Sequence, residues 1–388
     1  MNKSLTKKHG LNVTEFQKNT TKLFNDFSPS TKKDWEKIVL EDIGPEHDLS
    51  KISWNLPGMQ PALPLYTKEE ISYSETNPIR KTCSWQLCDY ISDKNFSDAK
   101  NSIIEAANGG SECCFISKKV DIDFEEDFKN LIKAAENAGV DLIFESLKIS
   151  KFTDSADDID SNVTFLRDDF SDSSQSNLNS FEIKPLSSNQ LLSVNGSNYC
   201  SDEASIPHRL AVSLSIASEY LLATDLKAAD SILFRVNTGS LYFPEIAKLR
   251  ALRVLWHNMM EAWKVSGNPE TLILSEIEKN DATDSPYNNL LISVTEAMSA
   301  VLGGTDILMI HPFDNENHFS GRITRNIHHI LNEEAHFGKV ADPAAGSYYV
   351  EKLTDEIAKE AWRRFGQIEE NGGFLNSLEN GIIPEDLL

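Results

Sequence analysis

The chain has 388 residues, 40% of them apolar, and a formal net charge of −23 at pH 7. That length and apolar content suffice for a large buried core, while so acidic a balance excludes partners that must be gripped by a basic face, nucleic acid and anionic membrane among them. No run of about 18 apolar residues occurs, and the first ten residues, MNKSLTKKHG, lack a hydrophobic signal core, so a cytoplasmic location is expected. The five cysteines (Cys83, Cys88, Cys113, Cys114 and Cys200) contain no C-x-x-C pair. Reduced thiols are therefore expected, with neither a disulfide framework nor a zinc site.

Residues 1–62 read as an arm, a helix and a strap. The first 33 are polar with isolated aromatics (Phe16, Phe24 and Phe27), STKKDWEKIVLEDI from Ser30 carries a cap and helical spacing, and SWNLPGMQPALPLYT is extended and rich in proline. Phe16, Leu23, Phe24, Phe27, Trp35 and Trp54 have too little chain around them for a core of their own, so they are expected to lie against another surface.

Residues 63–388 read as one α/β domain, because from about residue 80 short apolar runs alternate with helical patterns. Strands are expected at Thr82–Leu87, Glu112–Ile116, Leu142–Glu145, Val163–Leu166, Leu191–Asn195, Ile232–Val236, Leu272–Ile277 and Ile307–Ile310. Eight such units predict a closed (β/α)8 TIM-type barrel, with an open doubly wound sheet as the alternative. Ser205 and Pro207 open one outer helix and Pro244 another, whereas residues 154–180, rich in Asp, Ser and Asn, predict a mobile loop. Ile232, Phe234 and Val236, with Ile307 and Met309, are bulky, so the barrel axis is expected to be filled by side chains.

The most particular stretch is FSGRITRNIHHILNEEAHFGKVADPAAGSYYVE at 319–351. Ser320 is a natural N-cap, Ile323, Ile327, Ile330 and Leu331 recur at helical spacing, and Gly338 sits where a C′ glycine of positive φ belongs. Asp342-Pro343 then forces an extended step and Gly346 a tight turn. His328, His329 and His336 read as surface or capping residues. No reaction motif is complete: G-x-S-x-G, a Walker loop, H-E-x-x-H and a dinucleotide glycine motif are all absent. Asp121, Asp123, Glu125, Glu126 and Asp127 suit the first turn of a helix better than a metal. His311, just past the last strand, stands where catalytic groups collect in a barrel.

The strings RITRN, NEEA and DPAAGSYYVE resemble the end of the substrate-binding barrel in methylmalonyl-CoA mutases, the adenosylcobalamin-dependent acyl-CoA mutases, and weaker likeness runs from about residue 34 to the end. PLYT at 64–67 resembles that family's link from arm to barrel. The resemblance implies a radical interconversion of (R)-methylmalonyl-CoA and succinyl-CoA, and it poses questions position by position. Where catalytic members carry S-G-Y-H-M-x-E-A-G-A, with a histidine on the substrate thioester carbonyl, this chain has GSNYCSDEAS: Tyr199, Glu203 and Ala204 match, but Cys200 replaces the histidine. A thiol is a weak, uncharged donor and a poor substitute for an imidazole that polarises a carbonyl.

The T-I-R-Q-Y-A-G motif resembles PIRKTCS at 78–84, which places Thr82 at the tyrosine that wedges between substrate and cofactor. The R-T-H-S-Q motif corresponds to TLILSEIEK, with Ile273, Leu274 and Ser275 toward the cofactor end. No arginine other than Arg167 offers itself for the substrate carboxylate, and the D-x-H-x-x-G loop that supplies cobalt with an imidazole occurs nowhere in the sequence. Thr82, Tyr199, Cys200, Glu203, Ser275 and His311 are thus expected to be relic pocket positions.

The expectation that joins these observations is a small, non-catalytic subunit of a heterodimeric member of the family. It would bind no cofactor or metal itself, with adenosylcobalamin held by a catalytic large subunit. Two alternatives stand beside it: a competent acyl-CoA mutase subunit that uses Cys200, Glu203 and His311 with a separate cobalamin chain, and a barrel that binds some other small molecule.

Overall fold

The computed structural model describes residues 28–44, 46–71, 80–122, 124–145, 162–172, 186, 189–267, 269–278, 285–314 and 319–383. Two compact units divide the chain, with the boundary after Trp54. In the first, α1 (Lys32–Ile43) is capped by Thr31, whose hydroxyl accepts from the Asp34 amide at 3.3 Å while the Thr31 amide donates to the Asp34 carboxylate at 2.8 Å. This reciprocal box satisfies donors that a helix start leaves free. Most of the expected arm lies outside the described residues.

In the second unit, among the described residues, eight parallel strands close a barrel in chain order: β1 (Gln86–Ile91), β2 (Cys113–Ile116), β3 (Asp141–Glu145), β4 (Val163–Arg167), β5 (Gln190–Val194), β6 (Ile232–Asn237), β7 (Leu272–Ile277) and β8 (Ile307–Ile310). Register pairs such as Cys88 with Cys113 and Gln86 with Ile307 close the ring on β1. The flanking helices are α2 (Phe96–Asn108), α3 (Glu125–Ala138), α4 (Ile206–Ala223), α5 (Tyr242–Ala262), α6 (Pro286–Gly303) and α7 (Phe319–His329). A further helix, α8 (Tyr348–Glu370), packs against α4 and α5, and α9 (Gly373–Glu379) follows, with its N-cap Gly372 and its first residue Gly373 both at positive φ.

Each strand is buried on both faces, as a parallel barrel requires. Cys88, Cys113, Phe115, Ile143, Leu166, Leu233, Leu274, Ile307 and Met309 form one cluster inside the barrel, while Ile232, Phe234, Ile273 and Ile277 belong to the core under the helices. The axial filling expected from β8 is therefore present. On β6 the expected face is reversed: Ile232, Phe234 and Val236 pack outward, and it is Leu233 and Arg235 that turn in.

Three further expectations are corrected. The first strand is Gln86–Ile91, not Thr82–Leu87, so Thr82 precedes it. Ser320 is not a cap; it is buried within the start of α7, and its hydroxyl accepts from the Asp314 amide. The left-handed residue after that helix is His336 at φ 61°, reached through a π turn at Ile330–Glu334, rather than Gly338. Gly338 is needed for space: a Cβ there would lie 2.2 Å from the Asn332 side-chain oxygen. Gly346 does adopt the expected positive φ, at 81°. The expected loop at 154–180 falls largely outside the described residues, but Val163–Arg167 within it forms β4 and Asp169–Asp172 a helical turn.

Candidate functional site at the barrel mouth

Functional groups in this architecture collect at the C-terminal strand ends. Here β1, β2, β3, β6, β7 and the residue after β8 send Tyr90, Ser117, Glu145, Arg235, Glu276 and His311 to one network. The Arg235 guanidinium donates two parallel bonds to Glu276, Nε to Oε2 at 2.6 Å and Nη2 to Oε1 at 3.0 Å, and a third from Nη1 to Glu145 at 2.7 Å. Its plane lies 4.9 Å from the Phe115 ring, a cation over an aromatic face. His311 Nε2 donates to Glu276 Oε1 at 2.7 Å, and its ring stacks on Tyr90 with centroids 3.9 Å apart. The Tyr90 hydroxyl donates to Ser117 at 3.1 Å, and Ser117 donates to Glu145 at 3.2 Å. Asn237 adds a layer, accepting from Asn195 at 3.1 Å and donating to Glu278 at 3.0 Å.

The electrostatics are those of a self-satisfied ion cluster. The Glu276 side chain is 1% exposed. Burial opposes its ionisation, but His311 and Arg235 outweigh that and hold the carboxyl down at about 2. Glu145 is likewise lowered, burial being overcome by Arg235, and Arg235 is raised by its two carboxylates against the cost of burial. With three bonds to Glu276 and Glu145, the Arg235 guanidinium is held across the mouth above the filled axis. At the opposite end, the N-terminal mouth opens into a cavity of about 830 Å³ whose floor includes Ile143, Leu191, Leu233 and Leu272 and whose walls carry Glu112, Asp141, Glu270 and Asp306.

Of the six residues singled out from the sequence, only His311 belongs to the network. Tyr199 and Cys200 turn to the outer core: the Tyr199 ring meets Phe374 edge-on at 5.1 Å and its hydroxyl bonds Asp168. The Cys200 thiol donates to the Gly196 carbonyl, and burial pushes it up to about 11, so it remains a protonated thiol at neutral pH. Glu203 is exposed. Ser275 is fully buried, and its neighbours in β7, Leu274 and Glu276, are the residues that reach the axis and the mouth. Thr82 is exposed and lines the opposite, N-terminal cavity. The aromatic that stands at this mouth is Tyr90, near the end of β1, stacked on His311. Arg167 is engaged with Asp169 at 2.7 Å, within its own turn.

The signature segment proves to be packing. Arg325 of RITRN reaches Asp89 at 2.7 Å and Glu105 at 2.9 Å, tying α7 to β1 and α2. His328 is buried, accepts from the Trp85 indole at 3.2 Å, and is held neutral by burial with its pKa lowered to about 3; His329 donates to the Gly109 carbonyl at 2.8 Å. His328 is thus a core residue, contrary to the expectation, whereas half-buried His329 meets the carbonyl of the residue that caps α2 and exposed His336 is itself an N-cap, as expected. Arg250 of α5 donates to Asp342 and Glu351 at 2.9 Å each, and Glu351 also accepts from the Gly346 amide in the DPAAG turn. Glu125, Glu126 and Asp127 occupy the first turn of α3, where the helix dipole favours them; Asp123 lies outside the described residues.

Arg235, Glu276 and Glu145 were missed by the sequence reading, although the signal was there: a charged residue inside an otherwise apolar strand, as in ILFRVN and LILSEI, is a burial that demands a partner.

The family model described as methylmalonyl-CoA mutase matches residues 171–387. The chain is similar to a methylmalonyl-CoA mutase small subunit of Porphyromonas gingivalis, 29% identical over 425 residues, covering 95% of this chain and 67% of that one. It is also similar to a methylmalonyl-CoA mutase of Rhizobium meliloti, 35% identical over 210 residues, 51% of this chain and 29% of that one. A probable methylmalonyl-CoA mutase small subunit of Mycobacterium tuberculosis is 34% identical over 202 residues, 48% and 33% of the respective chains. The chain thus spans two thirds of the first of these relatives and about a third of the others.

Proposed function

The chain belongs to the methylmalonyl-CoA mutase family, and from that premise we propose that it is a small, non-catalytic subunit of a heterodimeric methylmalonyl-CoA mutase. In this reading the complex interconverts (R)-methylmalonyl-CoA and succinyl-CoA by radical rearrangement, with adenosylcobalamin and the reacting groups in the large subunit. This chain contributes shape and stability in the cytoplasm. The observation that carries the reading is the mouth: Arg235, Glu276, Glu145 and His311 bond to one another above an axis filled by Phe115, Leu166, Leu274 and Met309.

The residues present do not fit the family's ligands. A pantetheine arm along the axis would have to displace those four apolar side chains. At the position of the carbonyl-polarising imidazole stands a protonated thiol turned into the outer core. The acidic wall of the N-terminal cavity would also repel the phosphates of coenzyme A. The apolar residues of the arm up to Trp54, Phe16, Leu23, Phe24 and Phe27 among them, are proposed to lie against the large subunit, since an obligate interface of more than about 2,000 Å² is reached efficiently by a wrapping arm, whereas Leu56 and Ala62 pack into this chain's own core.

Titration settles the matter. The isolated chain should leave the visible spectrum of adenosylcobalamin unchanged and should give no heat with methylmalonyl-CoA, while its addition to the large subunit should raise the thermal stability of that subunit. Cobalamin binding or turnover by this chain alone would overturn the proposal.

A further inference from the structure

Behind the mouth, the corner between β6, α5 and α6 holds three ionisable side chains in the protein interior. Glu245 and Lys248, on the first turns of α5, are 4% and 5% exposed, and Glu296, midway along α6, is 6% exposed. Lys248 forms an ion pair with Glu245, and its ammonium also donates to the Asn237 carbonyl at the end of β6 at 2.7 Å. Among the described residues, the charged groups facing Glu296 are Glu245 and Lys248, both from α5. One cation therefore serves two buried carboxyls. The full complement of charges leaves a net negative group in a helix interface that otherwise packs Ile246 and Leu249 of α5 against Gly303.

We propose that Glu245, Lys248 and Glu296 form a proton-operated joint, in which one proton held at Glu296 keeps α6 seated on α5 and its loss loosens that contact. With the proton in place, the corner carries one neutral acid and one ion pair. When the proton leaves to solvent, Glu296 becomes a second carboxylate beside Glu245 with no second cation, a like-charge burial that relaxation and water entry relieve. The balance lies in the physiological range because burial, and then repulsion from Glu245, raise the Glu296 carboxyl to about 7 against the pull of Lys248. A folded value above the unfolded 4.5 means that the stability it contributes is complete below pH 4.5 and is lost as pH rises through about 7. The joint touches the mouth through Asn237, whose carbonyl holds Lys248 and whose side chain bonds Asn195 and Glu278. The end of α6 beyond the joint exposes Tyr287 and Leu291, so loosening would act where the helix is least covered.

The test is amide hydrogen exchange along Asn289–Gly303 at pH 6 and pH 8.5, corrected for intrinsic rates, in the whole chain and in Glu296→Gln. The amide copies the neutral acid and should fold. Wild type should lose about tenfold in protection at the higher pH while the variant does not change. Carbon-13 titration of the Glu296 carboxyl gives a second readout, with a midpoint expected near 7. Equal pH dependence in wild type and variant, or a carboxyl midpoint near 4.5, would overturn the proposal.

Discussion

Arg250 and Arg235, like Arg325, are each held between two carboxylates. Arg250 joins α5 to the Asp342 loop and to Glu351 on α8, on the outside of the barrel, and both of its partners lie in the stretch that carries the family spelling. Arg235 joins β6 to Glu276 and Glu145 at the mouth, where a barrel enzyme would place its chemistry. The bond inventory is nearly the same, but the positions differ in what they allow. A buried ion pair between outer elements fixes how a helix and a loop meet, and it serves any chain with this scaffold. The same pair on the axis fills space that a ligand would need. The outer cluster thus records packing, while the cluster at the mouth is self-contained charge.

The comparison is tested most severely at Arg235. Replacing it by alanine leaves Glu276, 1% exposed, ionised beside only His311, and should cost about 3–5 kcal/mol in urea unfolding. Replacing Arg235, Glu276 and Glu145 together by Met, Leu and Gln should recover most of that loss, because an apolar plug of similar volume does the same job. The acid limb adds a check of sign. Glu276 has a folded value of about 2, below its ordinary 4.5, so its contribution is present above pH 4.5 and lost as pH falls toward 2; the triple variant should lack that limb. A loss below about 1 kcal/mol for Arg235→Ala would mean that the mouth is no plug.

Arg250→Met should cost less, about 2–3 kcal/mol, because Asp342 is 13% exposed and can take water in place of the guanidinium. The loss should appear as faster exchange at the start of α8, with the mouth unaffected. If the Arg250 change instead perturbed Arg235 or His311 resonances, the two clusters would be coupled and the division drawn between them would fail.

How much of this the sequence revealed follows the same division. β7 and β8 were read with the bounds they have, because each is a short apolar run set off by residues that begin a helix or a turn. β1 was placed four residues early, since TCSWQL also carries apolar residues, and those bounds left out Tyr90, which stands at the mouth. On β6 the inward face was reversed. A strand buried on both sides gives no alternation to choose by, and what decides is Arg235, whose partners lie 41 and 90 residues away. Tyr199, Cys200 and His311 were grouped through resemblance, whereas the strand order sends the first two outward into the contacts of α9 and α4 and the third inward.

That separation makes the last and smallest expected effect an informative one. Cys200→His restores the residue type that catalytic family members carry after the fifth strand. Position 200 is half-buried, and its side chain touches the Gly196 carbonyl and the outer core, so stability should change by no more than about 1 kcal/mol. Activity should not appear. An imidazole there would still have a filled axis beside it and an arginine already committed to Glu276 and Glu145, and groups that work as a unit give almost nothing singly. The assay is succinyl-CoA formation from methylmalonyl-CoA with added adenosylcobalamin, first by the variant alone and then with the large subunit present. Turnover by the variant alone would show that the mouth opens, and Arg235 would then have to be read as a carboxylate receptor that Glu276 and Glu145 keep closed until substrate arrives.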